Sequence, residues 1–295
     1  MSSDTILILS SGRLQLELSP SIGGAIAAFE WVDGDASWPI LRKCHSRLEK
    51  VLDAACFPLV PYVNRIRGGR FSFRGRDVCL SPNMAGDPSP LHGQGWLHPW
   101  KVDDAGGSHA VLSYRHEPGE WPWSYEARQE YSLDEAGLGL TLTCRNLSEE
   151  AMPCGLGQHP YFQCGPATRL DTEVTCAWTI DDKVLPVARV RAEGRYDLEH
   201  RLVCGQGLDN GFGGWAGEAR LSDRDWPYTV VLSSPDARFF QLYSPTEGGV
   251  FVAEPVTHAN AALNAPEGEW RELGMRVLDP GQEMALAMRL DVIPK

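Results

Sequence analysis

The side chains best suited to proton transfer stand where apolar runs of the sequence stop. His159 closes the run that begins at Gly155 and is followed by Pro160, which cannot continue a central strand. Glu254 follows the run "GGVFVA" and directly precedes Pro255. An imidazole and a carboxylate can both exchange protons near neutral pH, so these two residues suit general acid–base catalysis. Taken singly, a lone histidine is more often structural, and a Glu-Pro pair is usually a strand terminus.

Two further polar residues lie in glycine-rich surroundings. His92 comes just before a Gly-x-Gly turn, where the backbone can approach a ligand closely. Asp209 lies in "GLDNGFGGW", which we expect to hold the aspartate in a glycine-flanked turn. Because this segment opens no helix, it is not expected to cradle a phosphate. Both residues are therefore candidates for binding a small ligand.

The spacings that mark metal and nucleotide sites are missing from the sequence. His92 and His98 are six residues apart, and neither an H-E-x-x-H motif nor a Cys/His cluster occurs. The chain also has no G-x-S-x-G elbow, no P-loop and no G-x-G-x-x-G after a strand. We therefore predict neither a metal nor a cofactor.

Composition narrows the classes of partner. The chain has 295 residues, a net charge of −12 and a pI of about 5.1, which argues against a nucleic-acid or anionic-membrane partner. No run of about 18 apolar residues occurs, and the first residues lack the pattern of a secretory signal. We expect a cytoplasmic protein, monomeric or homodimeric, whose eight cysteines are free thiols. Without a linker or a shift in composition, residues 1–295 are expected to form one domain.

Period-two alternation predicts the fold class. It recurs in the segments 13–18, 110–116, 138–146, 228–234 and 284–292, separated by turn signals such as Asp279-Pro280-Gly281. This pattern is typical of antiparallel strands, so we predict an all-β protein built as a large antiparallel β-sandwich. The segment 45–57 is the one good helical candidate, and a single turn is expected after Thr257.

Aromatic and basic residues leave two interpretations open. Ten tryptophans occur, among them the neighbours Trp96 and Trp100. Most are expected to fill the core, although one or two could stack on a sugar ring in a cleft.

Five arginines are concentrated between residues 65 and 76, and guanidinium groups suit phosphate. Alternation in "GRFSFRGRDVCL" favours a hairpin that points Phe71 and Phe73 inward and leaves Arg70 and Arg74 in solvent.

Five motifs, in this order, resemble the aldose 1-epimerase (galactose mutarotase) family along most of the chain. They are "YVNRIRGGRF" (62–71), "LHGQGW" (91–96), "GLGQHPYF" (155–162), "GLDNGFGGW" (207–215) and "EPVTHANAALN" (254–264). The family fold is a large antiparallel β-sandwich, in agreement with the alternation. The sequence departs from the usual family pattern at Gln158, where asparagine normally precedes the acid histidine.

The resemblance implies roles for six residues. Carried over motif by motif, His159 is the general acid and Glu254 the general base. The implied sugar-binding residues are Asn64, Arg65, His92 and Asp209. Ordinary pKa values near 4.3 for Glu and 6.5 for His would leave the first ionised and the second partly protonated near pH 7. We expect a nearby carboxylate to raise the histidine pKa further.

The function implied by the resemblance is interconversion of the α and β anomers of a free aldose. Two alternatives remain. One is an epimerase of a phosphorylated or sulfonated sugar, suggested by the arginine cluster. The other is a non-catalytic carbohydrate-binding protein, which would keep Arg65 and an aromatic platform but would not need both His159 and Glu254.

Overall fold

A computed structural model describes residues 6–43 and 48–295 of the chain. The described residues form antiparallel strands joined by turns and by short 3₁₀ helices. In chain order the strands are β1 (Leu7–Ser11), β2 (Leu14–Ser19), β3 (Ala25–Asp33), β4 (Ala36–Leu41), β5 (Pro58–Leu59), β6 (Arg70–Phe73), β7 (Arg76–Cys79), β8 (Lys101–Ala105), β9 (His109–His116), β10 (Tyr125–Asp134), β11 (Gly137–Asn146), β12 (Met152–Cys154), β13 (Gly157–Gln158), β14 (Tyr161–Gln163), β15 (Arg169–Thr172), β16 (Cys176–Ile180), β17 (Pro186–Arg191), β18 (Arg201–Leu202), β19 (Leu208–Gly213), β20 (Glu218–Ser222), β21 (Tyr228–Ser233), β22 (Phe239–Ser244), β23 (Val250–Val256), β24 (Arg276–Leu278) and β25 (Glu283–Pro294). The 3₁₀ helices are Val51–Asp53, Arg67–Gly69, Gly95–Leu97, Gly194–Tyr196, Ala262–Asn264 and Glu267–Glu269.

Two large sheets organise the chain. One has nine strands in the order β18-β15-β20-β21-β25-β11-β10-β9-β8. The other has eight, in the order β17-β16-β19-β22-β23-β13-β5, with β14 also paired to β23. Apolar side chains from both, such as Leu140 and Leu286 from the first and Phe240 and Phe251 from the second, belong to one buried cluster. The predicted antiparallel β-sandwich is confirmed.

The period-two segments became strands where they were predicted. Strand β11, predicted from the segment 138–146, alternates from Leu138 to Asn146 between buried positions and half-buried or exposed ones, as expected of a sheet with one face on the core and one in solvent. The hairpin of β6 and β7 buries Phe71 and Phe73 and exposes Arg70 and Arg74, as the alternation indicated. The single turn expected after Thr257 is the 3₁₀ helix Ala262–Asn264.

Strand β23 differs because both of its faces are covered. Six of its seven residues are buried, from Phe251 to Val256. A second apolar cluster, which includes Phe57, Trp96 and Val256, lies apart from the main core. Chain segments therefore cover the outer face of the eight-stranded sheet, and the cavity described below lies between these segments and β23.

The helix predicted for 45–57 is wrong in the described part of that segment. Only Val51–Asp53 forms a 3₁₀ turn, and residues 44–47 lie outside the described residues. The backbone of Ala55 donates to Ile26 and accepts from Tyr161, while the Phe57 carbonyl accepts from His159. These long-range bonds need an extended chain, because a helix would use the same groups internally. Tertiary pairing therefore overrides local helix propensity here.

The described cysteines are free thiols. They are Cys56, Cys79, Cys144, Cys154, Cys164, Cys176 and Cys204, while Cys44 lies among the undescribed residues. No helix in the described ranges is long and apolar enough to cross a membrane.

Candidate active site

A cavity of about 290 Å³ opens on the outer face of the eight-stranded sheet. Its lining contains all six residues that the resemblance singled out: Asn64, Arg65, His92, His159, Asp209 and Glu254. These residues come from segments up to 190 positions apart in the sequence, so their convergence is a result of the fold. The cavity is thus the candidate active site.

Glu254 and His159 face each other in this cavity. His159 Nε2 lies 3.5 Å from Glu254 Oε1, and their side chains are only 11% and 4% exposed. The opposite atoms, His159 Nδ1 and Glu254 Oε2, are buried without a hydrogen-bond partner among the described residues. Unsatisfied buried polar atoms are costly, so their occurrence in two residues that line one cavity is a mark of a binding or catalytic site.

Strand pairing holds this pair in place. Glu254 belongs to β23, two residues before its end, and not at the strand terminus that the sequence indicated. His159 lies between β13 and β14, and both of these short strands pair with β23. Pro255 also lies inside β23, although proline has no N–H to donate to the hydrogen bonds of a sheet. The facing position in β22 is Phe240.

The pKa values of the pair differ from the sequence-based expectation. Burial lowers the pKa of His159 to about 3, whereas we expected a nearby carboxylate to raise it. Burial also raises the pKa of Glu254 well above its usual range, and the charge of Asp209 acts in the same direction. The expectation was wrong because it considered charge alone; desolvation penalises the charged form of each group. Burial therefore favours the uncharged form of both groups, with the proton of the pair on Glu254.

Two hydrogen bonds join Asn64 and His92. The His92 N–H donates to the Asn64 carbonyl at 3.0 Å, and the Asn64 N–H donates to His92 Nδ1 at 3.1 Å. Both residues adopt the left-handed conformation, with φ of 56° and 57°. Because Nδ1 accepts, the ring proton is on Nε2, which is a donor; burial keeps the His92 pKa well below its usual range.

The glycine after His92 is required by close packing. Gly93 has φ of 71°, and a Cβ on it would lie 2.0 Å from the carbonyl oxygen of Val60. This explains the His-Gly pair in local terms, since any other residue would push His92 away from Asn64.

Arg65 places its guanidinium at the edge of the same cavity. Its Nε donates to Asp87 Oδ2 at 2.8 Å, and its Nη1 donates to Asn64 Oδ1 at 3.1 Å. The backbone N–H of Arg65 donates to Asn260 Oδ1. Asp87 was not among the residues predicted from the sequence, because nothing in "NMAGDPSP" distinguishes it from an ordinary turn aspartate.

Asp209 lies in strand β19, so the expected glycine-flanked turn is wrong. Its backbone pairs with Tyr243, which also lines the cavity. Gln241 Nε2 donates to Asp209 Oδ1 at 2.7 Å, and Gln241 is the cross-strand neighbour of Glu254. Burial raises the Asp209 pKa, while Arg65 opposes that shift. The aspartate is therefore fixed beside the base candidate by a strand pair.

An aromatic wall completes the cavity. Phe57 stacks on the His159 ring, with centroids 4.4 Å apart and planes 18° apart, and Trp96 stacks on Phe57 at 5.4 Å. Tyr161 lies 4.7 Å from the His159 ring. Trp96 is thus the tryptophan of the cleft, while Trp100 packs in the main core. Phe57 was missed because it sits in the segment that was mistaken for a helix.

Gln158, the departure from the family pattern, faces inward behind the site. Its side chain contacts Cys56 Sγ at 3.5 Å and Gln129 Oε1 at 3.4 Å, and it is 1% exposed. It does not line the cavity. Among the described residues, no group of three or more His, Cys, Asp or Glu side chains is placed to hold a metal ion.

Comparison with known proteins shows the family of the chain. The profile of the aldose 1-epimerase family matches residues 6–291. The uncharacterized protein YphB of Escherichia coli K12 is 32% identical over 98% of this chain and 99% of its own. A crystal structure from the same strain, also 32% identical, matches with a TM-score of 0.88 and covers 99% of both chains. A galactose mutarotase-like protein of Clostridium acetobutylicum shares the fold, with a TM-score of 0.85, 18% identity, and coverage of 98% of this chain and 95% of its own. The chain therefore belongs to the aldose 1-epimerase family.

Proposed function

We propose that this protein is an aldose 1-epimerase, which interconverts the α and β anomers of a free aldose. The observation that carries the proposal is the buried Glu254–His159 pair, 3.5 Å apart and lining a cavity of about 290 Å³. That volume is at the small end of ligand pockets and suits a monosaccharide.

The reaction needs one proton removed and one proton delivered. A base takes the proton of the anomeric hydroxyl while an acid protonates the ring oxygen, and the bond between C1 and the ring oxygen breaks. The product is the open-chain aldehyde with a free hydroxyl. Rotation about C1–C2 presents the other carbonyl face, and closure by the reverse transfers gives the other anomer. The proton count of enzyme and sugar together never changes, so no cofactor is consumed.

The Glu254–His159 pair supplies both groups. A sugar hydroxyl that donates to the Glu254 carboxylate favours its ionised form. The proton then resides on His159, so that Glu254 is the base and His159 the acid. Ring opening transfers a proton to Glu254 and removes one from His159, which restores the neutral pair that burial favours. Each such group typically contributes about 10²–10⁴-fold to rate.

The remaining polar groups have complementary binding roles. His92 Nε2 and the guanidinium of Arg65 are donors for sugar oxygens, and Asp209 is an acceptor for hydroxyls. Phe57 and Trp96 present an apolar wall to the C–H face of the ring. Asn64 orients Arg65 through its side-chain oxygen.

The arginine cluster gives little support to a phosphorylated or sulfonated substrate. Arg67 contacts Asp181 at 3.5 Å, Arg76 pairs with Glu150, and Arg70 and Arg74 are exposed. Of the five, only Arg65 lines the cavity. A non-catalytic binding protein would gain nothing from burying an unsatisfied acid and base against each other.

Anomer exchange of a panel of aldoses, followed by polarimetry or by two-dimensional exchange NMR, tests the proposal. We expect exchange well above the spontaneous rate for at least one unmodified aldose. Binding of aldoses without any acceleration of their exchange would replace the epimerase by a binding protein.

A further inference from the structure

Asp87 is a buried carboxylate that touches the site without lining it. Its side chain is 8% exposed and that of Arg65 is 11% exposed, with Nε and Oδ2 only 2.8 Å apart. The second oxygen, Oδ1, accepts the backbone N–H of Ser89, and the Asp87 N–H donates to the carbonyl of Met84. The turn thus holds the carboxylate rigidly behind the guanidinium.

This contact determines which donors of Arg65 remain for a ligand. Nε is taken by Asp87 and one Nη1 proton by Asn64. Within the described residues Arg65 Nη2 has no hydrogen-bond partner, so its two N–H donors remain available to a ligand in the cavity. A guanidinium held along one edge presents its remaining donors in a fixed plane, which suits pairs of sugar oxygens.

The same contact sets the charge of the cavity. Arg65 is the one arginine or lysine among the described residues that line it. Arg42 is not in the lining: its guanidinium lies 3.5 Å from the Tyr161 ring and donates to the Ala54 carbonyl, and its charge adds to burial in lowering the His159 pKa. Against the cation of Arg65 stand the carboxylates of Asp87 and Asp209, and the Glu254–His159 pair adds no net charge wherever its proton lies, so the lining carries no excess positive charge. Burial disfavours the charged forms of His92 and His159, which adds no cation.

We propose that Asp87 is a positioning and specificity-determining residue, which aims Arg65 at sugar hydroxyls and cancels its charge so that the site accepts uncharged aldoses and rejects phosphorylated, sulfonated or carboxylated ones. This inference rests on the proposed function of the cavity. An unpaired arginine would bind a phosphate in a bidentate manner, whereas a paired one beside further carboxylates repels a dianion.

The substitution Asp87→Asn tests the effect of the Asp87 charge alone. The amide retains the shape and an oxygen for the Ser89 N–H, but it removes one negative charge from beside Arg65. Asp181→Asn is the matched control, because Asp181 contacts Arg67 at 3.5 Å in a pair whose side chains are 48% and 30% exposed. Pairs in solvent contribute little, so this control should not alter the cavity.

The experiment measures anomer exchange of D-galactose and D-glucose and of their 6-phosphates by NMR, for both variants and the wild type. We expect Asp87→Asn to shift the preference, as the ratio of kcat/KM values, at least ~10-fold towards the phosphates, because an unpaired guanidinium recognises phosphate strongly. Asp181→Asn should stay within about twofold of wild type. Asp87→Glu restores the charge and should return the preference for neutral sugars. An equal loss on both kinds of sugar, or an equal shift in the control, would overturn the inference.

The affinity for inorganic sulfate tests the role of Asp87 independently of the proposed function. Calorimetric titration measures sulfate binding whether or not any sugar is exchanged, and loss of that binding in Arg65→Met assigns it to the cavity. We expect sulfate to bind Asp87→Asn at least ~10-fold more tightly than wild type, since the guanidinium is then unpaired. If wild type exchanges no aldose but this difference is found, the proposed function fails and the role of Asp87 stands. If affinity for sulfate is unchanged in a folded Asp87→Asn, the role of Asp87 is wrong.

Discussion

Two buried histidines in the neighbourhood of β23 have opposite surroundings. His258 is 2% exposed; its Nε2 accepts the Val63 N–H at 3.0 Å and its Nδ1 bonds the Ala259 carbonyl at 2.8 Å. His159 is 8% exposed, leaves Nδ1 without a partner and faces Glu254 through Nε2. Burial lowers the pKa of both, to about 4 for His258 and about 3 for His159.

The comparison shows that a shifted pKa does not by itself identify a catalytic group. His258 has both nitrogens satisfied by backbone, which fixes its tautomer and ties β23 to the segment around Val63. It also fills the space above Gly155, where a Cβ would lie 2.0 Å from its ring. His159 has unsatisfied atoms, a carboxylate partner and a cavity. These features distinguish the reactive histidine from the structural one.

The same substitution at both positions should give opposite results, and the largest effect is expected at His159. His159→Leu removes the proposed acid and one unsatisfied buried atom, so kcat should fall at least ~10²-fold while stability is kept or raised. Exchange NMR and chemical denaturation measure the two quantities. A folded His159→Leu with near wild-type exchange would exclude this residue from the mechanism.

His258→Leu should instead affect folding. The substitution leaves the buried Val63 N–H unpaired, so we expect the free energy of unfolding at pH 7.5 to fall by about 2–4 kcal/mol. Because His258 does not line the cavity, kcat of the folded fraction should remain within a few-fold of wild type. Urea unfolding combined with exchange rates under native conditions tests this; a catalytic loss without a stability loss would reverse the assignment.

The stability difference between wild type and His258→Leu should depend on pH. The folded pKa of His258 is about 4 and its unfolded value about 6.5, so the unfolded chain binds the extra proton first as pH falls. The stabilisation is therefore present above pH 6.5 and is lost as pH falls towards 4. The difference should shrink by about 3 kcal/mol across this window. Urea midpoints of both proteins at several pH values measure it, and a constant difference would contradict the pKa.

The smallest expected effect is a flat pH profile of activity. An imidazole with an ordinary pKa would lose its proton, and an acid-dependent rate would fall, as pH rises through 6.5. The Glu254–His159 pair instead keeps one proton over a wide range, because the pKa of Glu254 is raised and that of His159 lowered. We expect kcat/KM to change less than about twofold between pH 5.5 and 7. A sigmoidal fall centred near 6.5 would show that His159 titrates as an exposed histidine.

Much of the fold could be predicted because alternation records which face of a strand is buried. β11 and β25 were predicted correctly on that basis. The segment 48–57 was not, since its backbone bonds to residues about 30 and 100 positions away, and local propensity contains no information on such partners. Asp209 was placed in a turn for a similar reason: glycines near it mark close packing within β19.

The candidate site was predictable only as a set of motifs. Each of the six residues was identified from its motif, and the fold brings all of them to one cavity. Asp87 and Phe57 could not be found in this way, because their roles come from contacts with Arg65 and His159. The direction of the His159 pKa shift could not be predicted either, because it depends on burial that the sequence does not reveal.

Anomer exchange by Glu254→Gln tests most directly whether Glu254 is the base. The amide keeps the size of the side chain and can still bond a sugar hydroxyl, but it cannot accept the proton of the anomeric hydroxyl. We predict that kcat falls at least ~10²-fold with sugar binding, read from tryptophan fluorescence, nearly unchanged. A folded Glu254→Gln that exchanges anomers at close to the wild-type rate would show that Glu254 is not the base.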